Sequence, residues 1–554
     1  MDQEPDTLAR DAEAEVLGLR QSVADLLNAN RLLVARNTCA EGRAKFPDDP
    51  GLATLAGYIH LIIGDMPEAA EAANRAIALG ADDPLAWLVL GVTRRADGEH
   101  EAAVEALTKA HLGFPERVDA ATLLIEETAM AYGVQRGKEA YAEAFARLPN
   151  RDITLFWARM LWAVGMHDDM PEGVVSAPLL SVRQWLARSS ATPDVEGGPE
   201  VIRVQDPPIF GDPPVERPAI TVPGYDTYAT LIRGATVFAK SSLVLTADGC
   251  VLNDTLCDER YGRVLEIPYE AVALERQEDR LLMEVGAYAR VDIPGGVMLS
   301  GAVSAHFGHW VPEYMCKLAY LERHPRFAGL PIIVDSDMPP QHLEFLNLMA
   351  DNPVVQIPPG GAFRVGELLV ASPPCFFPVH LAAHTQVPAE HQGGLPVGPF
   401  RFLQQRVLSR IGEPAARDRK LYLSRKNSVW RRLSNEDEIS AALAARGFDE
   451  VCLEEMSYPD QVRLFQSASV VVAPNGSSLM NAVYSPPDLK LIVLSQRGLF
   501  NWGTFNGCMT ELGYRLTFVC GEGVDPDKKH GDYSVPLDLV LAALDGPAPA
   551  GLSR

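Results

Sequence analysis

Residues 469–481 read Ser-Val-Val-Val-Ala-Pro-Asn-Gly-Ser-Ser-Leu-Met-Asn, and this stretch decides the fold of everything around it. A β-branched apolar run makes a buried strand over 469–473, Asn475-Gly476 turns the chain, and a helix over 477–484 opens on two hydroxyl residues. Working outward, Lys420–Ser424 predicts a strand, 435–446 a helix, Glu450–Leu453 a strand, 458–467 a helix and Lys490–Leu494 another strand. That alternation argues for a parallel sheet covered on both faces. Farther upstream, Gly296–Ser300, Pro331–Val334, 353–357 and 367–371 read as strands, with helices over 309–323 and near 340–350. Ser242–Thr246 and Cys250–Leu252 flank Asp248-Gly249, a hairpin signal. A Pro/Gly-rich stretch at 385–399 reads as the passage between two α/β halves, 230–400 and 401–554. Two such halves place a ligand in the crevice at the C-terminal ends of their strands.

Before residue 191 the texture differs. Asp48-Asp49-Pro50 recurs as Asp82-Asp83-Pro84, and Gly57, Gly64, Ala69 and Ala76 recur as Gly91, Gly98, Ala103 and Ala110, each 34 residues on. That is the period of helix–turn–helix repeats of the tetratricopeptide (TPR) type. Small residues fall where paired helices approach, and Asp-Asp-Pro supplies a cap and a first-turn proline. Less regular helical pattern flanks the two clear repeats over 10–47 and 117–188, so residues 1–190 are expected to form the array. Such an array is a spacer or oligomerisation surface, or a docking groove for a polypeptide. Residues 191–224 carry eight prolines, including Pro207-Pro208 and Pro213-Pro214, and residues 191–229 read as a linker.

Composition narrows the function. The 554 residues include 49 Lys+Arg against 73 Asp+Glu, a net charge of −24, which disfavours nucleic acid and polybasic membrane binding because both need a positive field. Eight cysteines form no CxxC pair, so they read as reduced, mostly buried thiols rather than as a zinc ribbon or disulfide framework. The acidic N-terminus lacks the pattern of a secretory signal, and no long apolar run predicts a membrane span. The expectation is a soluble, cytoplasmic protein.

Four clusters carry candidate chemistry. Asn475, Gly476, Ser477 and Ser478 combine close backbone approach with helix-end amides suited to a phosphate, although most strand–turn–helix junctions of this kind are only caps. Ser424, Arg425 and Lys426, then Arg431, Arg432 and Asn435, put four cations within eight residues after a strand. Guanidinium groups clamp a diphosphate bidentately, whereas the plain alternative is solvated charge, with Ser434 or Asn435 capping the next helix. His306, His309 and Glu313 put two histidines and a carboxylate around a helix start. The spacing matches no zinc signature, so a general base is the better reading, against a hydrogen-bonded core histidine. Glu455 ends a strand where a ribose diol would bind, while Ser457 and Asp460 begin the next helix.

Taken together, residues 230–525 resemble the GT61-type glycosyltransferases (the DUF563 group), which include protein O-GlcNAc and O-mannosyl-glycan transferases and plant xylan-modifying enzymes. Three ordered blocks carry the resemblance: Phe307-Gly308-His309-Trp310 with Glu313; Leu421 to Arg425 through Arg431-Arg432-Leu-Ser-Asn435-Glu436; and Glu455-Met-Ser457 through Ala473-Pro-Asn475-Gly476-Ser-Ser-Leu-Met-Asn481. Asn475 stands where the family commonly has His, and His306 where it commonly has Asn. The resemblance implies a GT-B type pair of Rossmann-like α/β domains after the TPR-like array, an inverting mechanism, no catalytic metal and no cofactor. The implied co-substrate is a nucleotide sugar, with uridine (a UDP-sugar) favoured by family. Ser424, Arg425, Arg431, Arg432, Asn435, Glu455, Asn475, Gly476, Ser477 and Ser478 would bind this donor, and His309, Glu313 or His306 would deprotonate a protein or saccharide acceptor, as in polysaccharide biosynthesis. A partner protein would dock on the repeats, and self-association stays open. The competing expectation is a helical-repeat scaffold whose α/β module binds a nucleotide sugar without turning it over.

Overall fold

The computed structural model describes residues 5–204, 207–211, 219–258, 267, 269–375, 394–414, 416–428, 431–496, 503–525 and 531–546. Two compact units divide at residues 174 and 175. Most of the expected passage at 385–399, and Pro213-Pro214 of the expected linker, lie outside the described residues.

The first unit is a helical array: α1 (Pro5–Asn28), α2 (Leu32–Lys45), α3 (Pro50–Ile63), α4 (Met66–Ala78), α5 (Pro84–Ala96), α6 (His100–Gly113), α7 (Val118–Tyr132), α8 (Val134–Arg147) and α9 (Arg151–Ala163). The sequence period is visible in it, because Pro50 and Pro84 open α3 and α5 at equivalent places. Asp49 and Asp83 cap them, accepting from the N–H groups of Leu52 at 2.7 Å and Leu85 at 2.9 Å. Gly64 and Gly98 turn the chain between paired helices with φ of +81° and +75°. Gly57 and Gly91 serve close packing instead. A Cβ on Gly91 would stand 2.6 Å from Leu107 Cγ, and one on Gly57 3.3 Å from the Ala69 carbonyl. The alanines of the repeat, Ala69, Ala76, Ala103 and Ala110, are buried.

The second unit corrects the expected boundaries. Helical structure of the array ends at Ala163, and Val174–Leu180 is a strand, β1, whereas the sequence pattern predicts helix as far as residue 188. The Pro-rich segment is not a free linker either. It contributes β2 (Val195–Gly197), β3 (Val201–Val204), β4 (Ile209–Phe210) and β5 (Ile220–Pro223). These strands are two to four residues long, which lets prolines sit at their ends.

Next come β6 (Thr227–Phe238), β7 (Val244–Leu245), β8 (Val251–Leu252), β9 (Ala273–Arg276), β10 (Arg280–Glu284), β11 (Ala289–Met298), β12 (Ile332–Asp335), β13 (Val354–Ile357) and β14 (Gly361–Ala371). The first sheet runs β13-β12-β11-β14-β6-β7-β8-β1-β10-β9, with β2 beside β6. It is mixed rather than Rossmann-like throughout: β12, β13 and β14 lie parallel with β11 or its neighbour, but β6 is antiparallel to β14 along nearly its whole length. β7 and β8 form the antiparallel hairpin read from the sequence.

The second sheet holds β15 (Arg419–Leu423), β16 (Asp449–Val451), β17 (Ala468–Pro474), β18 (Lys490–Gln496), β19 (Arg515–Gly523) and β20 (Tyr533–Ser534). Its parallel part has the order β16-β15-β17-β18-β19, with β20 antiparallel at the far edge and β4 also on β19. Chain order therefore reverses between β15 and β17, and in such sheets the crevice at that reversal is where ligands bind. The two halves are not separate bodies. One core runs through both, including Trp310, Phe345, Phe400, Leu421, Tyr458 and Val493. Phe345 stacks on Tyr458 at 4.5 Å, and Tyr458 and Tyr484 share a hydroxyl–hydroxyl bond of 2.9 Å.

Candidate active site

The reversal point between β15 and β17 is organised by one buried carboxylate. Glu436 Oε1 accepts from Tyr422 OH (3.1 Å), Ser424 Oγ (2.9 Å) and the Arg425 N–H (2.9 Å). Three bonds to one oxygen fix the direction in which the chain leaves β15. The Arg425 side chain then reaches β17, where Nη1 donates to the Asn475 carbonyl at 3.2 Å, while Nη2 donates to Ser428 Oγ at 2.7 Å. Gly476 makes room for it. Its backbone is extended, but a Cβ there would stand 1.9 Å from Arg425 Nη1. Beyond Gly476 a 3-10 helix over Ser477–Tyr484 replaces the expected α-helix. Among the described residues the hydroxyls of Ser477 and Ser478 make no hydrogen bond.

Arg431 comes to the same place by a strained route, with φ of +54° on a residue that carries a side chain. Its half-buried guanidinium has Nη1 shut from water without a hydrogen-bond partner among the described residues. Burial lowers its pKa first, then the like charge of Arg425, with Tyr533 opposing.

The opposite wall comes from the C-terminal end of β11. Asp335, at the end of β12, anchors the loop, its Oδ2 accepting from the Gly301 N–H (3.0 Å) and Ser304 Oγ (2.7 Å). The expected helix over 309–323 is a succession of short turns: α-helical at Phe307–His309, π-helical at Trp310–Tyr314, 3-10 at Met315–Lys317 and α-helical again at Leu318–Leu321. Within it His309 Nδ1 meets Glu313 Oε2 at 3.2 Å. His309 is buried, and Trp310 behind it stacks on His342 at 5.5 Å with an interplanar angle of 5°. The His306 ring packs against His309 at 5.1 Å. Although His306 is exposed, its pKa is pushed down to about 4, by the part of the ring that is desolvated first, then by His309, Arg431 and Arg425, with Glu313 opposing. Gly308 brings the walls together, since a Cβ on it would stand 3.1 Å from both Ser477 Cβ and His306 Cε1.

The fold thus gathers His306, His309, Glu313, Arg425, Arg431, Asn475, Gly476 and Ser477 about one crevice, and divides the basic cluster in two. Arg432 turns outward to Asp532 at 2.8 Å, and Lys426 meets Asp437 and Glu450 at 3.1 and 3.0 Å. Asn435 is occupied structurally, its Nδ2 donating to the Val535 carbonyl at 2.8 Å and its Oδ1 accepting the Val535 N–H at 3.2 Å. It holds the N-cap position of the next helix without a side-chain cap bond. Ser424 is spent on Glu436. Glu455 is exposed at the rim, accepting from Asn427 Nδ2 at 3.4 Å. The buried Asn475 side chain bonds Ser495 Oγ at 3.3 Å. Sequence reasoning missed Glu436 as a hub and Asp335 as an anchor. Asp335 closes β12, and Glu436 is the first residue of the helix Glu436–Ala444 that follows the basic cluster.

The region that carries this crevice is similar to a known family. Residues 307–492 match the family Glycosyltransferase 61. The matched segment begins at Phe307 and ends in β18, so it spans both walls. It supports glycosyltransferase activity for the α/β unit and agrees with the resemblance read from the three sequence blocks. No curated protein matches the chain. Solved structures similar to part of it include the APC/C hetero-tetramer Cut9-Hcn1 (19% identity, 26% of this chain and 30% of that chain, TM-score 0.25). Others are pilF of Pseudomonas aeruginosa (14%, 28% and 72%, TM-score 0.26) and a thermophilic TPR protein of Thermus thermophilus, TTC0263 (16%, 28% and 84%, TM-score 0.24). Likenesses this partial carry no argument beyond the repeats seen directly in α3–α6.

Proposed function

We propose that the protein is an inverting, metal-independent glycosyltransferase that moves a sugar from a nucleotide-sugar donor, a UDP-sugar, to an acceptor hydroxyl. The observation that carries this reading is the convergence of Arg425 and Arg431 on the crevice that His306, His309 and Glu313 face from the other wall. In this reading the two α/β halves act as a GT-B pair. The acceptor oxygen attacks the anomeric carbon as the bond from that carbon to the diphosphate breaks, and the electron pair leaves on phosphate oxygen. Arg425 and Arg431 neutralise the departing charge from fixed positions, with Gly476 keeping the approach open and Ser477 and Ser478 donating hydroxyl hydrogen bonds. Glu455 at the rim holds the ribose.

The acceptor's proton passes to the His309–Glu313 pair. His306 suits that task less well, because a base is most effective with a pKa near the working pH, whereas its own is held near 4. A neutral His306 instead hydrogen-bonds substrate without adding charge. The repeats recruit a polypeptide partner, and the eight free thiols, six of them buried, suit the reducing cytoplasm. Among the described residues no helix is long and apolar enough to cross a membrane.

The test is donor turnover. The full-length protein incubated with a panel of UDP-, GDP- and other nucleotide sugars is expected to release nucleotide from one of them, faster with acceptor present. Binding without release from any donor would favour a scaffold and reject the transferase.

A further inference from the structure

Residues 532–535 lie beyond the matched segment 307–492, yet they grip the chain that carries Arg431 to the crevice. The Arg432 N–H donates to Asp532 Oδ1 at 3.0 Å, and the Arg432 carbonyl accepts the Tyr533 N–H at 3.0 Å. The Tyr533 carbonyl accepts from the Ser434 N–H at 2.7 Å and from Ser434 Oγ at 3.0 Å. Asn435 closes the run by bonding both main-chain groups of Val535. Leu433, between them, is buried in one apolar cluster with Tyr533, Val535 and Leu494. β20 is itself seated hard on β19, since a Cβ on Gly521 would stand 1.8 Å from the Ser534 carbonyl oxygen. The same strand reaches the other cation. The Tyr533 hydroxyl donates to the Leu494 carbonyl at 2.9 Å, which also accepts the Asn475 N–H at 2.7 Å. The Asn475 carbonyl is the one that Arg425 Nη1 meets. Burial raises the Tyr533 pKa, with Arg425 and Arg431 opposing.

We propose that residues 532–535 are a positioning element of the donor site, a brace that holds Arg431 inward and fixes its spacing from Arg425, so that the two guanidiniums seat a diphosphate between them. The proposal rests on the transferase reading and adds to it residues that act through Arg431 rather than on substrate. Two features carry it. First, the bonds to Arg432 engage its N–H and its carbonyl, so they fix the backbone that leaves Arg431 whatever the Arg432 side chain does. Second, the backbone they fix is a costly one: Arg431 carries a side chain at φ of +54°, and such a residue relaxes unless its surroundings over-determine it. Relaxed, Arg431 would be free to turn outward as Arg432 does, toward the carboxylates in which the chain is rich. Tyr533 then ties both cations to one strand, Arg431 through residues 432–434 and Arg425 through Leu494 and Asn475.

Isothermal titration of inorganic pyrophosphate into the full-length protein tests the brace, because this probe reads the paired arginines without depending on base or sugar. Arg431→Ala is expected to weaken binding at least about tenfold, the size of one hydrogen bond to a charged group. Asp532→Ala and Asn435→Ala, each checked for an unchanged melting profile, are expected to weaken it at least about fivefold and to add nothing in the Arg431→Ala background, as for residues that act through one another. At Asp532 the sign is diagnostic, since removing a carboxylate by itself raises the affinity for an anion. Arg432→Ala loses the exposed ion pair but keeps both main-chain bonds, and is expected to stay within about twofold. Wild-type affinity in both Asp532→Ala and Asn435→Ala, or losses that persist in full without Arg431, overturn the proposal. Nucleotide release from the donor panel separates the brace from the activity. Release with additive losses sinks the brace alone, whereas pyrophosphate binding that obeys the cycle without release from any donor sinks the transferase and leaves a braced anion site. A wild-type protein that does not bind pyrophosphate overturns both.

Discussion

Substituting Arg425 by alanine tests the crevice most directly. The residue is held at three points: its main-chain N–H bonds Glu436, and on the side chain Nη1 bonds the Asn475 carbonyl and Nη2 bonds Ser428. Such a cation costs little reorganisation when charge appears on a leaving diphosphate. Removing one preorganised donor of this kind raises a barrier by about 3–4 kcal/mol, which is a loss of roughly 100- to 1000-fold in kcat. Arg425→Lys keeps the charge but loses the fork, and is expected to fall between alanine and wild type. Arg432→Ala is the matched control. Its ion pair with Asp532 is exposed and screened by solvent, so its kcat is expected to stay within about twofold. The assay is the initial rate of nucleotide release by full-length protein at saturating donor, with thermal melts confirming folding. Arg425→Ala within about fivefold of wild type, or Arg432→Ala falling as far as Arg425→Ala, would refute the assignment of leaving-group stabilisation to this side of the cluster.

Other outcomes follow from the same geometry. Glu436→Ala strands the Tyr422 hydroxyl, the Ser424 hydroxyl and the Arg425 N–H in a buried place. It is expected to cost about 3–5 kcal/mol in calorimetry, with Glu436→Gln recovering much of the loss. His342, buried against Trp310, has its pKa pushed down to about 4, by burial first. Between about pH 6.5 and that value the unfolded chain takes up a proton that the folded one refuses, so stability falls as pH is lowered through this window. The effect is on the order of 3 kcal/mol, and His342→Gln is expected to flatten the slope of urea-unfolding free energy against pH. Finally, deleting residues 1–172 spares β1, whereas deleting 1–190 removes Leu179 and Leu180 from their pairing with Val251 and Leu252. The shorter deletion is expected to unfold cooperatively and the longer one to lose its sharp melt.

How far the sequence discloses this arrangement depends on where each constraint is written. The 34-residue period is legible because helix packing repeats along the chain: Gly57 and Gly91 must be small for the same reason. The parallel strands β17 and β18 are legible because a strand buried on both faces carries a continuous apolar run, and β15 because Leu421–Leu423 is buried at its end. The strands at 195–223 are not, because they are short, proline-punctuated and completed by partners elsewhere, Val195 by Ala229 and Ile209 by Phe518. The basic cluster shows the limit most clearly. Composition reveals charge density but not direction, and Arg431 and Arg432 part company through one left-handed backbone angle and through Asp532, a hundred residues on. That parting also argues for function. In a chain with 73 acidic residues carboxylates are plentiful, and Arg419, Lys426 and Arg432 each meet one. Arg431 is instead bent inward, at a cost in backbone strain, to face another guanidinium and Tyr533. Stability alone favours the arrangement of its neighbours. An inward like-charge pair at the reversal point of a parallel sheet becomes favourable when an anion comes between them.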